Sequence, residues 1–194
     1  MNILLAGVGG QGIILASDML SETMMRYGLD VKKSEIHGMA QRGGSVMSHV
    51  RFGNCIASPT IPMGKCDILC SFEELETARY MDYITDHTRV IINRFRLNPP
   101  AVIAGDMEYP SIEGIISGFT SHVSFVDASG MATDMGNPKG VNIILLGIIS
   151  AFLEPEEALW TQTLGDLLKE KIRKINIEGF LRGRSAGMDI DRSL

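Results

Sequence analysis

The sequence predicts an α/β fold, a three-layer α/β/α sandwich around a mostly parallel, mixed sheet that contains one antiparallel hairpin. Three observations predict it. The chain opens with an apolar run at residues 2–6 that passes through a glycine loop into a helical pattern, which is how a βαβ unit begins. Short apolar runs at 67–72, 90–93 and 123–126 have the character of strands covered on both faces, and helical stretches separate them. Residues 45–52 alternate in polarity, as an antiparallel strand with two unlike faces does.

In chain order, the apolar residues Ile13, Ile14, Leu15, Met19, Leu20 and Met24 fall mostly at helical spacing between residues 12 and 27, and Gly28 is placed as a stop after the last turn. A second strand is predicted at 31–35. In the alternating segment Val46, Val50 and Phe52 share one face, and Met47, His49 and Arg51 the other. Gly53-Asn54 has the length and chemistry of a two-residue hairpin turn into Cys55-Ile56-Ala57, so the antiparallel hairpin is expected there. A helix is predicted over 73–84 and a buried helix over 141–153. Pro155 near a first helical position, followed by Glu156 and Glu157, starts another helix. An amphipathic helix around 172–181 is expected to end near Gly183.

Composition bounds the function. With 194 residues, 45% of them hydrophobic, the chain suffices for one domain spanning residues 1–194 and falls short of two. A net charge of -5 makes nucleic acid a poor partner. Three cysteines without a Cys-x-x-Cys pair fit a reduced, cytoplasmic protein. No secretory leader is evident, and the 141–153 run, interrupted by Asn142, Gly147 and Ser150, is shorter than the roughly 20 residues that span a bilayer, so no membrane is expected. The twelve methionines read as core or interface filler.

Two constellations could carry chemistry. Gly7-Val8-Gly9-Gly10-Gln11-Gly12 matches G-x-G-x-x-G between a strand and a helix, where backbone N–H groups can cradle a phosphate. The bland alternative is that the glycines only permit a tight turn and close helix–strand packing. A dinucleotide site also requires an acidic residue about 20 positions on; Glu35 is the candidate, and Lys32 and Lys33 beside it make an awkward ribose site. The second constellation is the glycine-punctuated stretch Ser34-Glu35-Ile36-His37-Gly38-Met39-Ala40-Gln41-Arg42-Gly43-Gly44-Ser45, long enough to be a functional loop. Lys32, Lys33, Arg42 and Arg51 face Glu35 alone between positions 32 and 51, a local net charge of +3 that points to an anionic partner. Arg42 offers a planar fork for carboxylate or phosphate, and His37 an imidazole that can titrate near neutrality.

Several chemistries lack their residues. Cys55, Cys66 and Cys70 cannot supply the four thiolates of an iron–sulfur cluster, and Cys66 and Cys70 are expected to pack on a strand near Asp67. His37, His49, His87 and His122 show no metal-ligand spacing, and no Gly-x-Ser-x-Gly nucleophile elbow occurs, so no metal site is expected.

Taken together, the glycine motif, the Ser34–Ser45 motif, Ser48-His49-Val50-Arg51, Ser58-Pro59 and Ile61-Pro62, Phe72-Glu73 with Leu75-Glu76-Thr77-Ala78-Arg79-Tyr80, and Gly136-Asn137-Pro138 resemble the gamma-type domain of 2-oxoacid:ferredoxin oxidoreductases. The resemblance covers most of the chain. Gly38-Met39-Ala40-Gln41 stands where the pyruvate and 2-oxoglutarate branches carry a Gly-Pro-Glu-like stretch, which favours the indolepyruvate branch and its small subunit. The resemblance implies a complex that oxidatively decarboxylates an aryl-pyruvate with coenzyme A and reduces ferredoxin. Thiamine diphosphate and iron–sulfur clusters would sit on a large partner subunit, with none on this chain. In keeping with that, Gly105-Asp106 and Gly165-Asp166 lack the Gly-Asp-Gly of a thiamine diphosphate motif.

Under this reading the chain is inactive alone and has no certain catalytic residue. Gly7, Gly9, Gly10, Gln11, Gly12, Lys33, Glu35, His37, Gln41, Arg42, Gly43, Gly44 and Ser45 become interface or ligand-facing candidates, with Arg42 and Lys33 assigned to coenzyme A phosphates or a partner carboxylate. An orphaned interface could pair with itself, giving a homodimer of the isolated chain. Two competing readings stay open, a free-standing NAD(P)-binding oxidoreductase and a purely structural interaction subunit.

Overall fold

A computed structural model describes residues 1–38 and 43–192. Among them six strands form one mixed sheet: β1 (Asn2–Val8), β2 (Asp30–His37), β3 (Ser45–Gly53), β4 (Ile68–Ser71), β5 (Arg89–Asn93) and β6 (Val123–Val126), in the order β2-β3-β1-β4-β5-β6. The β1–β4, β4–β5 and β5–β6 pairings are parallel, and β3 is antiparallel to both β1 and β2.

The sheet's alternation divides the core in two. Ile3 and Leu5 of β1, Val46, Val50 and Phe52 of β3, and Ile68 and Cys70 of β4 pack under α1 (Ile13–Arg26), α5 (Ala128–Asp134), α6 (Val141–Ser150), α7 (Glu157–Leu167) and α8 (Glu170–Arg192). On the opposite face Leu4, Ala6, Met47, Leu69, Val90 and Ile92 pack with residues of α2 (Glu74–Arg79), the 3₁₀ turn Met81–Tyr83 and α4 (Ile112–Ile116). The short helix α3 (Pro100–Ala104) has no buried residue. The expected three-layer α/β/α arrangement and the face assignments in β3 are therefore observed. No helix among the described residues is long and apolar enough to cross a membrane.

Gly28 ends α1 as expected. It takes φ +97°, and the N–H groups of Gly28 and Leu29 reach back to the carbonyls of Met25 and Met24 at 3.0 and 3.1 Å, a Schellman closure.

Two expectations are corrected. The hairpin does not turn at Gly53-Asn54. Its strands are β2 and β3, paired antiparallel from Asp30–Gly53 to His37–Val46, and β3 is already hydrogen-bonded along both edges, so no edge remains for residues 55–57. Those residues run as a loop, held where the Ile56 N–H donates to Asp30 at 2.8 Å and the Ile61 N–H to His49 Nδ1 at 3.3 Å.

The last helix does not stop near Gly183. It runs on to Arg192, and Gly183 lies inside it, where a β-carbon would come within 2.1 Å of the Ile144 carbonyl oxygen. Gly147 and Gly187 face equally close backbone at 2.2 and 2.6 Å. These glycines let α6 and α8 touch backbone to backbone, so a residue that would end an exposed helix serves here as a packing surface.

Candidate functional site

A cleft of about 760 Å³ opens beyond the carboxyl ends of β1, β5 and β6. That is where open α/β sheets bind ligands, because the strands and the helices that follow them leave a crevice there. Gly10, Gln11 and Gly12 form one wall, and Asn93, Ser129, Asn137, Lys139, Asn142 and Asn176 supply most of the polar lining. Leu15, Phe95, Leu168 and Ile172 complete it with apolar surface.

The glycine loop is braced from within. Gln11 accepts the Val8 N–H at 2.7 Å and donates to the Phe72 carbonyl at 3.3 Å, which ties the end of β1 to the end of β4. A β-carbon on Gly7 would meet the Gln11 side chain at 2.6 Å and Phe72 at 2.8 Å. Gly12 caps α1 at φ +79° and lies against Asn142, whose side-chain amide donates to the Gly12 carbonyl at 3.2 Å. Close packing and a left-handed turn thus account for Gly7 and Gly12, and the helix that follows still begins on the cleft wall.

Neither α1 nor α6 has a side chain capping its first turn, and Gly12 and residues 139–143 place both amino-termini on the cleft. The partial positive charge of two such ends favours an anion. Lys139 is exposed on the rim and forms no ion pair among the described residues. Asn93 is fully engaged, donating to the Phe72 carbonyl at 3.1 Å and to Ser129 Oγ at 3.0 Å. It fixes the floor of the cleft, beside which Lys139 and the two helix ends offer further donors.

Across the glycine loop stands the β2–β3 hairpin. The Gly9 N–H donates to the Gly44 carbonyl at 2.8 Å and the Gly43 N–H to the Gly9 carbonyl at 3.5 Å, so the two predicted constellations do meet. Lys33, Glu35, His37, Gly43, Gly44 and Ser45 lie on this flank and outside the cleft lining, whereas Gln41 and Arg42 lie outside the described residues.

The cations of the hairpin are mostly spoken for. Lys33 pairs with Asp18 and, at 2.5 Å, with Glu35; Lys32 pairs with Asp30 at 2.7 Å. Burial works against the charge on Lys33, and its hydrogen bonds to Asp18 and Glu35 outweigh that effect and raise its pKa. Arg51 donates to the carbonyls of Ser58 and Thr60 at 2.9 and 3.1 Å. The local excess of positive charge is thereby largely satisfied by Asp18 and Asp30, which lie outside the stretch that showed it.

The placement of Glu35 removes the main support for a dinucleotide site. β3 lies between β2 and β1, so Glu35 sits two strand spacings, about 10 Å, from the strand that carries the glycine loop. Its carboxylate is engaged by Lys33 and lies 3.5 Å from His37 Nε2.

The thiols do not suit a cluster. Cys66 and Cys70 are buried as expected, and burial pushes the Cys66 thiol up to about 12 and raises that of Cys70 as well, away from the thiolate a cluster binds. Cys55 is exposed and separate from both.

The sequence did not single out the polar lining of the cleft. Asn93 at the end of a predicted strand and Ser129 just after another were legible through the rule that ligands lie beyond carboxyl ends. Asn142 and Asn176 were not, because only the packing of α6 and α8 turns them toward the glycine loop.

Residues 2–186 match the family model of the pyruvate ferredoxin/flavodoxin oxidoreductases. Over 188 residues the chain is 35% identical to the indolepyruvate oxidoreductase subunit IorB of Archaeoglobus fulgidus, covering 94% of this chain and 93% of that protein. The fold matches the gamma subunit of a keto/oxoacid ferredoxin oxidoreductase from Geobacter sulfurreducens, with a TM-score of 0.71 and 19% identity over 97% of this chain and 98% of that one. It also matches the 2-oxoglutarate:ferredoxin oxidoreductase of Magnetococcus marinus, solved with 2-oxoglutarate, coenzyme A and succinyl-CoA, with a TM-score of 0.76 and 22% identity, covering all of this chain and 31% of that longer one. With the family model spanning nearly the whole sequence and a relative of such identity along almost its full length, the chain belongs to the pyruvate ferredoxin/flavodoxin oxidoreductase family.

Proposed function

We propose that this chain is the small, non-catalytic subunit of a cytoplasmic 2-oxoacid:ferredoxin oxidoreductase acting on indolepyruvate or another aryl-pyruvate. The observation that carries the proposal is its end-to-end likeness to the indolepyruvate oxidoreductase subunit of Archaeoglobus fulgidus. The whole chain, residues 1–194, acts as one domain. Thiamine diphosphate and the iron–sulfur clusters reside on a large partner subunit, coenzyme A is the co-substrate of the complex and ferredoxin its electron acceptor.

The cleft, with its two uncapped helix ends and Lys139, is suited to the phosphates of coenzyme A. Gly38 and Gly43 at the hairpin end and the apolar rim residues Leu15, Phe95 and Ile172, all more than a third exposed, form a surface of the kind a partner subunit covers. Closing the site in this way keeps bulk water from reactive intermediates of 2-oxoacid decarboxylation. The isolated chain would leave that rim bare and pair with itself.

Co-expression with the large subunit, followed by anaerobic viologen reduction with several 2-oxoacids and coenzyme A, tests the proposal. Turnover is expected only with both subunits, with aryl-pyruvates preferred. A cluster, flavin or thiamine diphosphate bound in stoichiometric amount to the lone chain, or turnover without a companion, would overturn it. Appreciable NADH binding by the lone chain would revive the nucleotide-binding alternative.

A further inference from the structure

The first turn of α2 buries three carboxylates within four residues: Glu73, Glu74 and Glu76 are 1%, 4% and 4% exposed. Burying a charge costs several kcal/mol unless hydrogen bonds compensate it, so such a cluster needs an explanation. Capping the helix explains only Glu73, whose carboxylate accepts the Glu76 N–H at 3.0 Å. The remaining contacts of Glu73 and Glu74 leave the helix. The other oxygen of Glu73 accepts the Leu97 N–H at 3.0 Å and the Tyr109 hydroxyl at 2.8 Å, and Glu74 accepts from Arg96 at 2.8 Å.

Glu76 reaches in the other direction, to the hairpin. The Ser45 hydroxyl donates to its Oε2, and Arg79 Nε lies 2.7 Å from its Oε1. The Tyr80 hydroxyl lies 2.7 Å from Ser45 Oγ. Because the Ser45 proton is given to the carboxylate, the phenol must be the donor to Ser45, so the chain of bonds runs from Tyr80 through Ser45 to Glu76. Ser45 is the first residue of β3 and pairs with Val8, the last residue of β1. Its carbonyl closes the hairpin stem by accepting the Gly38 N–H at 2.9 Å, and the neighbouring Gly44 carbonyl holds the glycine loop through Gly9.

We infer that Glu76, acting through Ser45, is the positioning residue that fixes the hairpin stem, Gly38 and Gly43 to Ser45, against the glycine loop. Glu73 holds the 95–109 segment by the same means, so one short helix sets two loops at the carboxyl end of the sheet. Tyr80 orients the Ser45 hydroxyl, and Arg79 keeps the Glu76 carboxylate aimed. The consequence for catalysis rests on the proposed function, in which the glycine loop held by this stem forms a wall of the cleft assigned to coenzyme A.

Hydrogen exchange on the full chain tests the positioning role directly. Ser45→Ala should raise exchange at Gly38, Gly43 and Gly9 about tenfold, the scale of losing one hydrogen bond to a charged group. Glu76→Gln should raise it at the same amides by a smaller factor, and should add nothing in the Ser45→Ala background, where the hydroxyl it acts through is gone. Ser45→Thr should restore protection. If Glu76→Gln folds poorly, the Ser45→Ala and Ser45→Thr pair carries the test.

In the complex with the large subunit, Ser45→Ala should raise the KM for coenzyme A several-fold with kcat little changed. Unchanged exchange in both Ser45→Ala and Glu76→Gln overturns the positioning role. Faster exchange with an unchanged KM upholds that role and overturns the placement of the glycine loop beside coenzyme A.

Discussion

The two flanks of the glycine loop differ in how far their positive charge is satisfied, and the difference teaches how little a local charge count says about a free charge. On the hairpin flank lie most of the cations that stand out in the sequence, and Lys32, Lys33 and Arg51 are bound to their own chain. The cleft flank looks bland in sequence, a scatter of asparagines and one lysine. Folded, it presents two helix termini without a side-chain cap and Lys139, which forms no ion pair among the described residues, around about 760 Å³ of open space. Availability to a ligand is set by which donors remain unsatisfied after folding.

The largest effect is expected where the two flanks are joined. Gly12→Ala must place a β-carbon at φ +79° and 2.6 Å from the Asn142 amide, whereas Gly10→Ala, at φ +106°, meets nothing within 4 Å. Left-handed backbone costs an ordinary residue about 1–2 kcal/mol, and displacing Asn142 from the Gly12 carbonyl adds about another 1 kcal/mol. Denaturant titration should therefore find Gly12→Ala the more damaging of the two. Equal losses would mean that Asn142 does not constrain the loop.

The contrast itself is sharpened by exchanging charges on the two flanks. Lys139→Glu should raise the KM of the complex for coenzyme A about tenfold, more at low salt than at high. Lys33→Met should change that KM far less and lower stability by less than about 1 kcal/mol, since its partners are partly exposed. A larger KM effect at Lys33 than at Lys139 would reverse the assignment of the two flanks.

The smallest effect concerns pH. His49, on β3 beneath the hairpin flank, is wholly buried, and burial lowers its pKa from the ordinary 6.5. The unfolded chain then takes up a proton at a pH where the folded one does not. Its contribution is therefore fully present above about pH 6.5 and declines as pH falls toward the depressed folded value. Thermal midpoints of the protein and of His49→Gln should diverge in slope only on the acid side. Parallel slopes would show that His49 is not held neutral.

Much of this architecture could be read directly from residue patterns. The strand, glycine loop and helix at the start, the two faces of β3, the Gly28 stop and the strands near 68, 90 and 123 were all legible, because periodicity and glycine chemistry act over a few residues. The errors fell where partners are remote. Gly53-Asn54 has the composition of a turn, yet β3 has no edge left to offer a strand beyond it. Gly183 has the composition of a stop, yet it is where α8 meets α6. The glycine loop of the candidate site was visible, whereas the cleft it borders was assembled from residues up to 166 positions away, between Gly10 and Asn176.

Sequence alone determined most of the strands and helices, which faces of β3 are apolar and, through the order of its motifs, the family. Those properties depend on interactions between near neighbours or on inherited residue patterns, and both are written along the chain. Only the tertiary structure decided which cations are free, which glycines make turns and which are contact surfaces, and where the open crevice lies. These depend on atoms far apart in the chain, such as Asp18 beside Lys33 or Ile144 against Gly183, whose meeting is settled only when the whole core packs.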